Sequence, residues 1–170
     1  MTVASERDRR MEANLGALAA VQRPVAERLC RPVLDGHLSV SADGSLQVQH
    51  HNRVLELGLP SGERDELVAS VEPDQDVLLF GAGEPELVVR LLAAGNRVTL
   101  WDRDLAVIRH AFYTVELHDA LLGGSLRVLM GVDLLDALEH RDRFAFVAHP
   151  IQMALYRAES FLWETGLPSR

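Results

Sequence analysis

The sequence predicts an α/β three-layer sandwich with a short parallel sheet, ordered 3-2-1-4, preceded by a small β-hairpin module. Three observations predict it. From residue 76 onward, short apolar runs alternate with helical stretches, the pattern of βαβ units with right-handed crossovers. Residues 37–57 instead alternate apolar and polar side chains with a period of two around Asp43-Gly44. The third is size: 170 residues is the length of about one domain, with enough chain to bury a core. The expected division is 1–60 for an N-terminal helix with the hairpin module, and 61–170 for the α/β domain.

The first ten residues are polar and are expected to fray. Met11 to Leu29 carries Leu15, Leu18, Ala19, Val25 and Leu29 at helical spacing, and Pro24 breaks or restarts that helix. Leu38, Val40 and Ala42 then alternate with polar residues, as do Leu46 and Val48 after Asp43-Gly44. A two-residue turn there would put Val40 opposite Gln47. A three-residue loop with Gly44 left-handed pairs Val40 with Leu46 and Leu38 with Val48, and this register is expected. A third strand, Arg53 to Leu57, follows the polar corner His50-His51-Asn52.

Glu63 to Ser70 reads as a short helix. Asp76 to Phe80 is a buried strand, Pro85 to Ala94 a helix closed by Gly95, and Arg97 to Trp101 a second strand. Leu105 to Leu122, capped by Asp104 and stopped by Gly123-Gly124, reads as one long helix. Leu126 to Met130 is the third strand, with a short helix around Leu134 to His140. Phe144 to Ala148 is the fourth strand and Ile151 to Glu164 the last helix.

Composition narrows the chemistry. There are 17 basic and 25 acidic side chains, a net charge of −8, which disfavours nucleic acid or an anionic membrane as partner. Every cation is Arg, so no lysine serves a phosphate loop or a Schiff base. Cys30 is alone, excluding a disulfide framework and a cysteine zinc site, and is expected as a small buried apolar group. No metal site is expected: His110 and His118 are eight apart on the expected long helix, too far to clasp one ion. No apolar run is long enough for a membrane span, and a cytoplasmic protein is expected.

Gly81-Ala82-Gly83 stands between the first parallel strand and its helix, where a Rossmann-like fold brings its backbone close to a nucleotide-type ligand. Asp102 ends the second strand, as an acid that accepts from ribose hydroxyls would. Asp133 follows the third strand and His149 the fourth, so all these residues gather at the carboxyl edge of one sheet. Gly81, Ala82, Gly83, Asp102, Asp133 and His149 are therefore the candidate ligand-binding residues, and no catalytic residue is assigned. The ligand classes open to them are a nucleotide, a nucleotide sugar or S-adenosylmethionine. Glu84-Pro85-Glu86 favours the cationic one, because Pro85 removes an N–H and the two acids repel a pyrophosphate. The plainer alternative is a tight strand-to-helix turn that needs glycine for geometry alone.

Asn14-Leu15, Leu18, Pro24 and Leu29, the small β module, Gly-x-Gly and Trp101-Asp102-Arg103-Asp104 together resemble the amino-terminal half of the motility-associated factor family. That family of Maf-type flagellin glycosyltransferases is related to the MptE-like hydroxymethylpterin diphosphokinases. The resemblance covers most of residues 12–157. It implies a β-rich front domain and a Rossmann-like domain for a nucleotide or nucleotide sugar, with Gly81, Gly83 and Asp102 at the ligand. Where the family has a glycine-richer loop this chain has Glu84-Pro85-Glu86, so a partial or degenerate transferase is expected. Class I methyltransferases share the Gly-x-Gly turn and the acid after the second strand. Their acid two positions before the first glycine is Leu79 here, and His149-Pro150-Ile151-Gln152 replaces their Asp/Asn-Pro-Pro-Tyr motif.

A last reading is a non-catalytic assembly protein. In order 3-2-1-4 the fourth strand lies at an edge, apolar on both faces and without Lys, Pro or inward charge. A homodimer, or a complex with another protein, is expected through residues 144–164.

Overall fold

The computed structural model describes residues 5–31, 36–130 and 143–155. Its frame is a four-stranded parallel sheet, β4 (Asp76–Phe80), β5 (Arg97–Asp102), β6 (Leu126–Met130) and β7 (Ala145–Ala148), in the order β6-β5-β4-β7. This is the expected 3-2-1-4 Rossmann-like arrangement. A separate antiparallel sheet contains β1 (Leu38–Val40), β2 (Leu46–His50) and β3 (Arg53–Glu56). Its first hairpin has Val40 opposite Leu46 and Leu38 opposite Val48, with Gly44 at φ 89°. Apolar matching across the hairpin selects this register over the two-residue turn.

The sheet steps from β4 to β5 to β6 in one direction, so right-handed crossovers place both connections on one face. There lie α4 (Pro85–Ala93), α5 (Leu105–Thr114) and α6 (His118–Gly123), packed on Val77, Leu79, Val98, Leu100, Val128 and Met130. The opposite face presents Leu78, Phe80 and Trp101, with Leu129, Phe144, Ala148 and Met153 against them. The connection from β6 back to β7 lies outside the described residues, as do the expected helix at 134–140 and residues 156–164 of the expected last helix. The helix of that segment that is described spans 150–155.

The expected helix over 105–122 is two helices. α5 ends at Thr114, and α6 begins at His118. The cause is Asn14, fully buried on α1 (Glu6–Val21): its Nδ2 donates to the carbonyls of Phe112 (3.0 Å) and Val115 (2.8 Å). Its Oδ1 accepts from the N–H of Leu117 at 2.8 Å. One side chain thus satisfies three main-chain groups that a helix break leaves bare.

Two other expectations change. The chain does not fray to residue ten: α1 starts at Glu6, closed by a capping box in which the Ser5 hydroxyl accepts from the Asp8 N–H and the Asp8 carboxylate accepts from the Ser5 N–H. Cys30 is exposed, at the last position of α2 (Arg23–Cys30), where the buried face belongs to Ala26 and Leu29. Pro24 does restart the helix, and Gln22 between α1 and α2 reaches the outer edge of β6. Its amide donates to the Val128 carbonyl (2.9 Å) and accepts from the Val128 N–H (2.8 Å), which closes that edge as a neighbouring strand would.

One continuous core includes Met11 and Leu18 of α1, Leu29 of α2, Leu46 and Leu57 of the hairpin module, and the parallel sheet.

Candidate functional site

β4 has its next strand in the chain, β5, on one side and the last strand, β7, on the other, so the strand order reverses between β4 and β7. That reversal is where open α/β sheets form a ligand crevice. Gly81-Ala82-Gly83 follows β4 there, and His149 to Gln152 follow β7 beside it. Three elements end at this point: the Gly81 N–H donates to the Trp101 carbonyl (2.8 Å), and the His149 N–H to the Phe80 carbonyl (2.8 Å).

The crevice is filled by the chain itself. Gln152, only 2% exposed, lays its carboxamide between the glycine loop and Asp102. Its Oε1 accepts from the Gly83 N–H at 2.8 Å, and its Nε2 donates to Asp102 Oδ2 at 2.8 Å. The same Oδ2 accepts from the Ala82 N–H at 2.8 Å, while Oδ1 accepts from the Asp104 N–H at 2.8 Å. Asp102 is fully buried. All three N–H groups of the loop are therefore spent inside the protein, together with the carboxylate expected to meet a ribose.

The glycines fit the same arrangement. A Cβ on Gly81 would stand 2.5 Å from Gln152 Oε1 and 2.9 Å from His149 Cβ, and one on Gly83 would stand 2.7 Å from Oε1 and 2.8 Å from Leu57 Cδ1. Gly81 also has φ 100°, a left-handed conformation that side chains avoid. Close approach of Gln152, His149 and Leu57 is thus sufficient reason for both glycines.

His149 is fully buried and builds the entry to the helix of 150–155. Its Nε2 donates to the Leu57 carbonyl at 2.7 Å, and its Nδ1 accepts the Gln152 N–H at 3.3 Å, an imidazole N-cap ahead of Pro150. Burial holds the imidazole below the ordinary histidine range, against the Leu57 carbonyl and the charge of Glu84, which pull it up.

Glu84 is turned away from the α4 terminus that it precedes. Its carboxylate accepts from the Leu59 N–H (2.7 Å) and pairs with Arg64 (3.4 Å), fastening the hairpin module to the glycine loop. Asp104 caps α5 through the Ala106 N–H (3.0 Å) and holds the half-exposed His37 at 2.6 Å. His110 and His118 lie on different helices, α5 and α6, and burial pushes the His110 imidazole down.

Of the six expected site residues, the structure brings Gly81, Ala82, Gly83, Asp102 and His149 together, and Asp133 lies outside the described residues. The decisive residue that sequence reasoning missed is Gln152. Its signal was available: His149-Pro150-Ile151-Gln152 has a polar N-cap, Pro at the first helical position and Gln at the third.

Neither a family model nor a curated protein matches this sequence. Among solved structures, a Maf glycosyltransferase from Magnetospirillum magneticum AMB-1 superposes with a TM-score of 0.59 at 14% identity, over 83% of this chain. The fold is Maf-like. The chain spans about a third of that enzyme, 32% of its length, and a likeness at this identity is one of fold and carries nothing of the chemistry. Among the described residues, no helix is long and apolar enough to cross a membrane, and no three His, Cys, Asp or Glu side chains are grouped to hold a metal.

Proposed function

We propose that this chain is a degenerate transferase-like domain: it keeps the Rossmann-like frame, closes the ligand crevice on its own Gln152, and works as a non-catalytic part of an assembly. One observation carries the reading. The Gln152 carboxamide takes the Gly83 N–H and Asp102 Oδ2, the donor and the acceptor that a bound ligand would need. The features that suggested a nucleotide, two glycines and a strand-end acid, are each accounted for by a contact within the chain.

A second reading keeps a nucleotide or nucleotide sugar as ligand. It is favoured by the site's place where the strand order reverses between β4 and β7 and by the Maf-like fold, and it requires Gln152 to leave. Thermal unfolding with nucleotides, nucleotide sugars, S-adenosylmethionine and pterins separates these readings. A ligand at a hundred times its Kd adds about 2.7 kcal/mol, and in a chain this size that raises the midpoint by roughly 5–10 °C. The expected result at pH 7.5 is no shift. Stabilisation by a nucleotide sugar establishes the second reading, and stabilisation by S-adenosylmethionine alone makes the protein methyltransferase-like.

The partner we propose is a second copy, paired along β7. Each copy carries a net charge of −8, and Ala145-Phe146-Val147-Ala148 has no charge, so two copies meet there without bringing carboxylates together. Phe146 on this strand is 53% exposed, and the opposite edge of the sheet is taken by Gln22. Light scattering is expected to give twice 18.8 kDa, and Phe146→Glu to return the monomer. A wild-type monomer at micromolar concentration refutes the interface.

A further inference from the structure

We propose that His149 and Gln152 form an acid-released latch on the glycine crevice: protonation of His149 uncaps the helix of 150–155 and withdraws the Gln152 carboxamide from Gly83 and Asp102. The inference rests on the reading of the crevice as self-closed. It starts from hydrogen-bond polarity. The Leu57 carbonyl can only accept, so the His149 Nε2 at 2.7 Å carries a proton. The Gln152 N–H can only donate, so Nδ1 at 3.3 Å is bare. The ring is held in one neutral tautomer by two fixed partners.

A second proton on Nδ1 would point at the Gln152 N–H, donor against donor. The cap is then lost at the residue whose side chain closes the crevice. Main chain and side chain of Gln152 are thus tied to one titrating ring, and Gln152 and His149 lie so close to Gly81 that not even a Cβ would fit between them, which leaves little room for a compromise. When the latch opens, the Gly83 N–H and Asp102 Oδ2 lose a partner together.

The groups that face this ring pull in both directions. Burial among Leu57, the glycine loop and β7 favours the neutral form and is the largest influence. Against it act the Leu57 carbonyl, the Glu84 carboxylate ahead of α4, and Glu63 on α3 (Ser61–Ala69). Arg64 on α3 offsets part of the Glu84 charge. Asp102 on β5 is linked to the same helix through the Gln152 carboxamide. The ring therefore stays neutral at pH 7.5, and protonation is coupled to opening, since the open ring has the ordinary affinity for a proton.

Amide exchange of the full chain, followed residue by residue with NMR between pH 7.5 and 5, tests this. Protection factors correct for the intrinsic pH dependence of exchange. Opening linked to one proton lowers protection at Gly83 by up to about tenfold per pH unit below about 6.5. Leu100, in the middle of β5, should keep its protection, which separates the latch from global unfolding. His149→Asn, an N-cap that does not titrate, should leave Gly83 protection flat with pH, and His110→Asn should behave as wild type. The imidazole signals of wild-type His149 should titrate with the loss of Gly83 protection, a readout that needs no variant. Equal losses at Gly83 and Leu100, a pH-independent Gly83, or the same fall in His149→Asn would overturn the proposal. Ligand stabilisation at pH 7.5 would instead overturn the self-closed reading on which it stands.

Discussion

Truncating Gln152 to Ala removes the group that closes the crevice while putting a good helix former in the helix of 150–155. The variant strips one partner from the Gly83 N–H and one from Asp102 Oδ2, both bonds 2.8 Å long and both buried. The Gly83 N–H is left unmade, at about 1–3 kcal/mol, and Asp102 Oδ2, which keeps the Ala82 N–H, loses one hydrogen bond to a charged group, about 1.5–3 kcal/mol; water entering the polar gap recovers part of this, so the net loss is about 2–4 kcal/mol. In a chain of this length that lowers the unfolding midpoint by roughly 4–16 °C. Gly83→Ala adds a discriminating arm. Its Cβ would stand 2.7 Å from Gln152 Oε1 but also 2.8 Å from Leu57 Cδ1, so removing Gln152 relieves only part of the crowding. The double variant should be less destabilised than the sum of the singles, by about 0.5–3 kcal/mol. Gln152→Glu keeps the size and sets a carboxylate against Asp102, so its defect should exceed that of Ala at pH 7.5 and ease as pH falls. Calorimetry of wild type and the four variants is the assay. A Gln152→Ala midpoint within about 1 °C of wild type would show that the carboxamide is dispensable and refute the plug.

Three further outcomes are expected. Asn14→Ala leaves the Phe112 and Val115 carbonyls and the Leu117 N–H without their partner, at a cost of about 3 kcal/mol or more, read by urea unfolding. Stability should be full above about pH 6.5 and fall as pH drops, by up to about 1.4 kcal/mol per pH unit for each histidine, because the unfolded chain protonates His149 and His110 before the folded one does. Guanidinium unfolding from pH 8 to 5 checks the sign, which is wrong if stability rises on acidification. Gln22→Ala bares the Val128 main-chain pair at the β6 edge and should raise the tendency to aggregate on heating, measured by turbidity.

What the sequence disclosed was what short-range pattern controls. The hairpin register followed from matching Leu38 and Val40 with Val48 and Leu46, and the sheet order followed from strand-helix alternation with right-handed crossovers. The break between α5 and α6 was not readable, because the apolar spacing continues through it and its cause, Asn14, lies about a hundred residues away. Cys30 failed for a related reason: residue type predicts burial on average, and here Ala26 and Leu29 already fill the inward face of α2. The capping box at Ser5 and Asp8 is visible in the sequence, and it starts a helix within a polar run that composition alone marks as a frayed end.

The glycine loop shows a deeper ambiguity. A Gly-x-Gly turn reports that something approaches the backbone too closely for a Cβ, and it does not say whether that body is a ligand or the protein. An acid at the end of β5 reports that donors converge there, with the same silence about their source. Here both questions are answered by one residue far along the chain, since the Gln152 carboxamide carries an acceptor and a donor side by side and spends them on Gly83 and Asp102. A Rossmann-like frame can thus carry a Gly-x-Gly turn and a strand-end acid whose hydrogen-bonding groups are spent within the chain. In such a chain the residue to read first is the polar one at the start of the helix beyond the last strand, because burial of an uncharged amide at that position needs partners, and the glycine loop and the strand-end acid supply them.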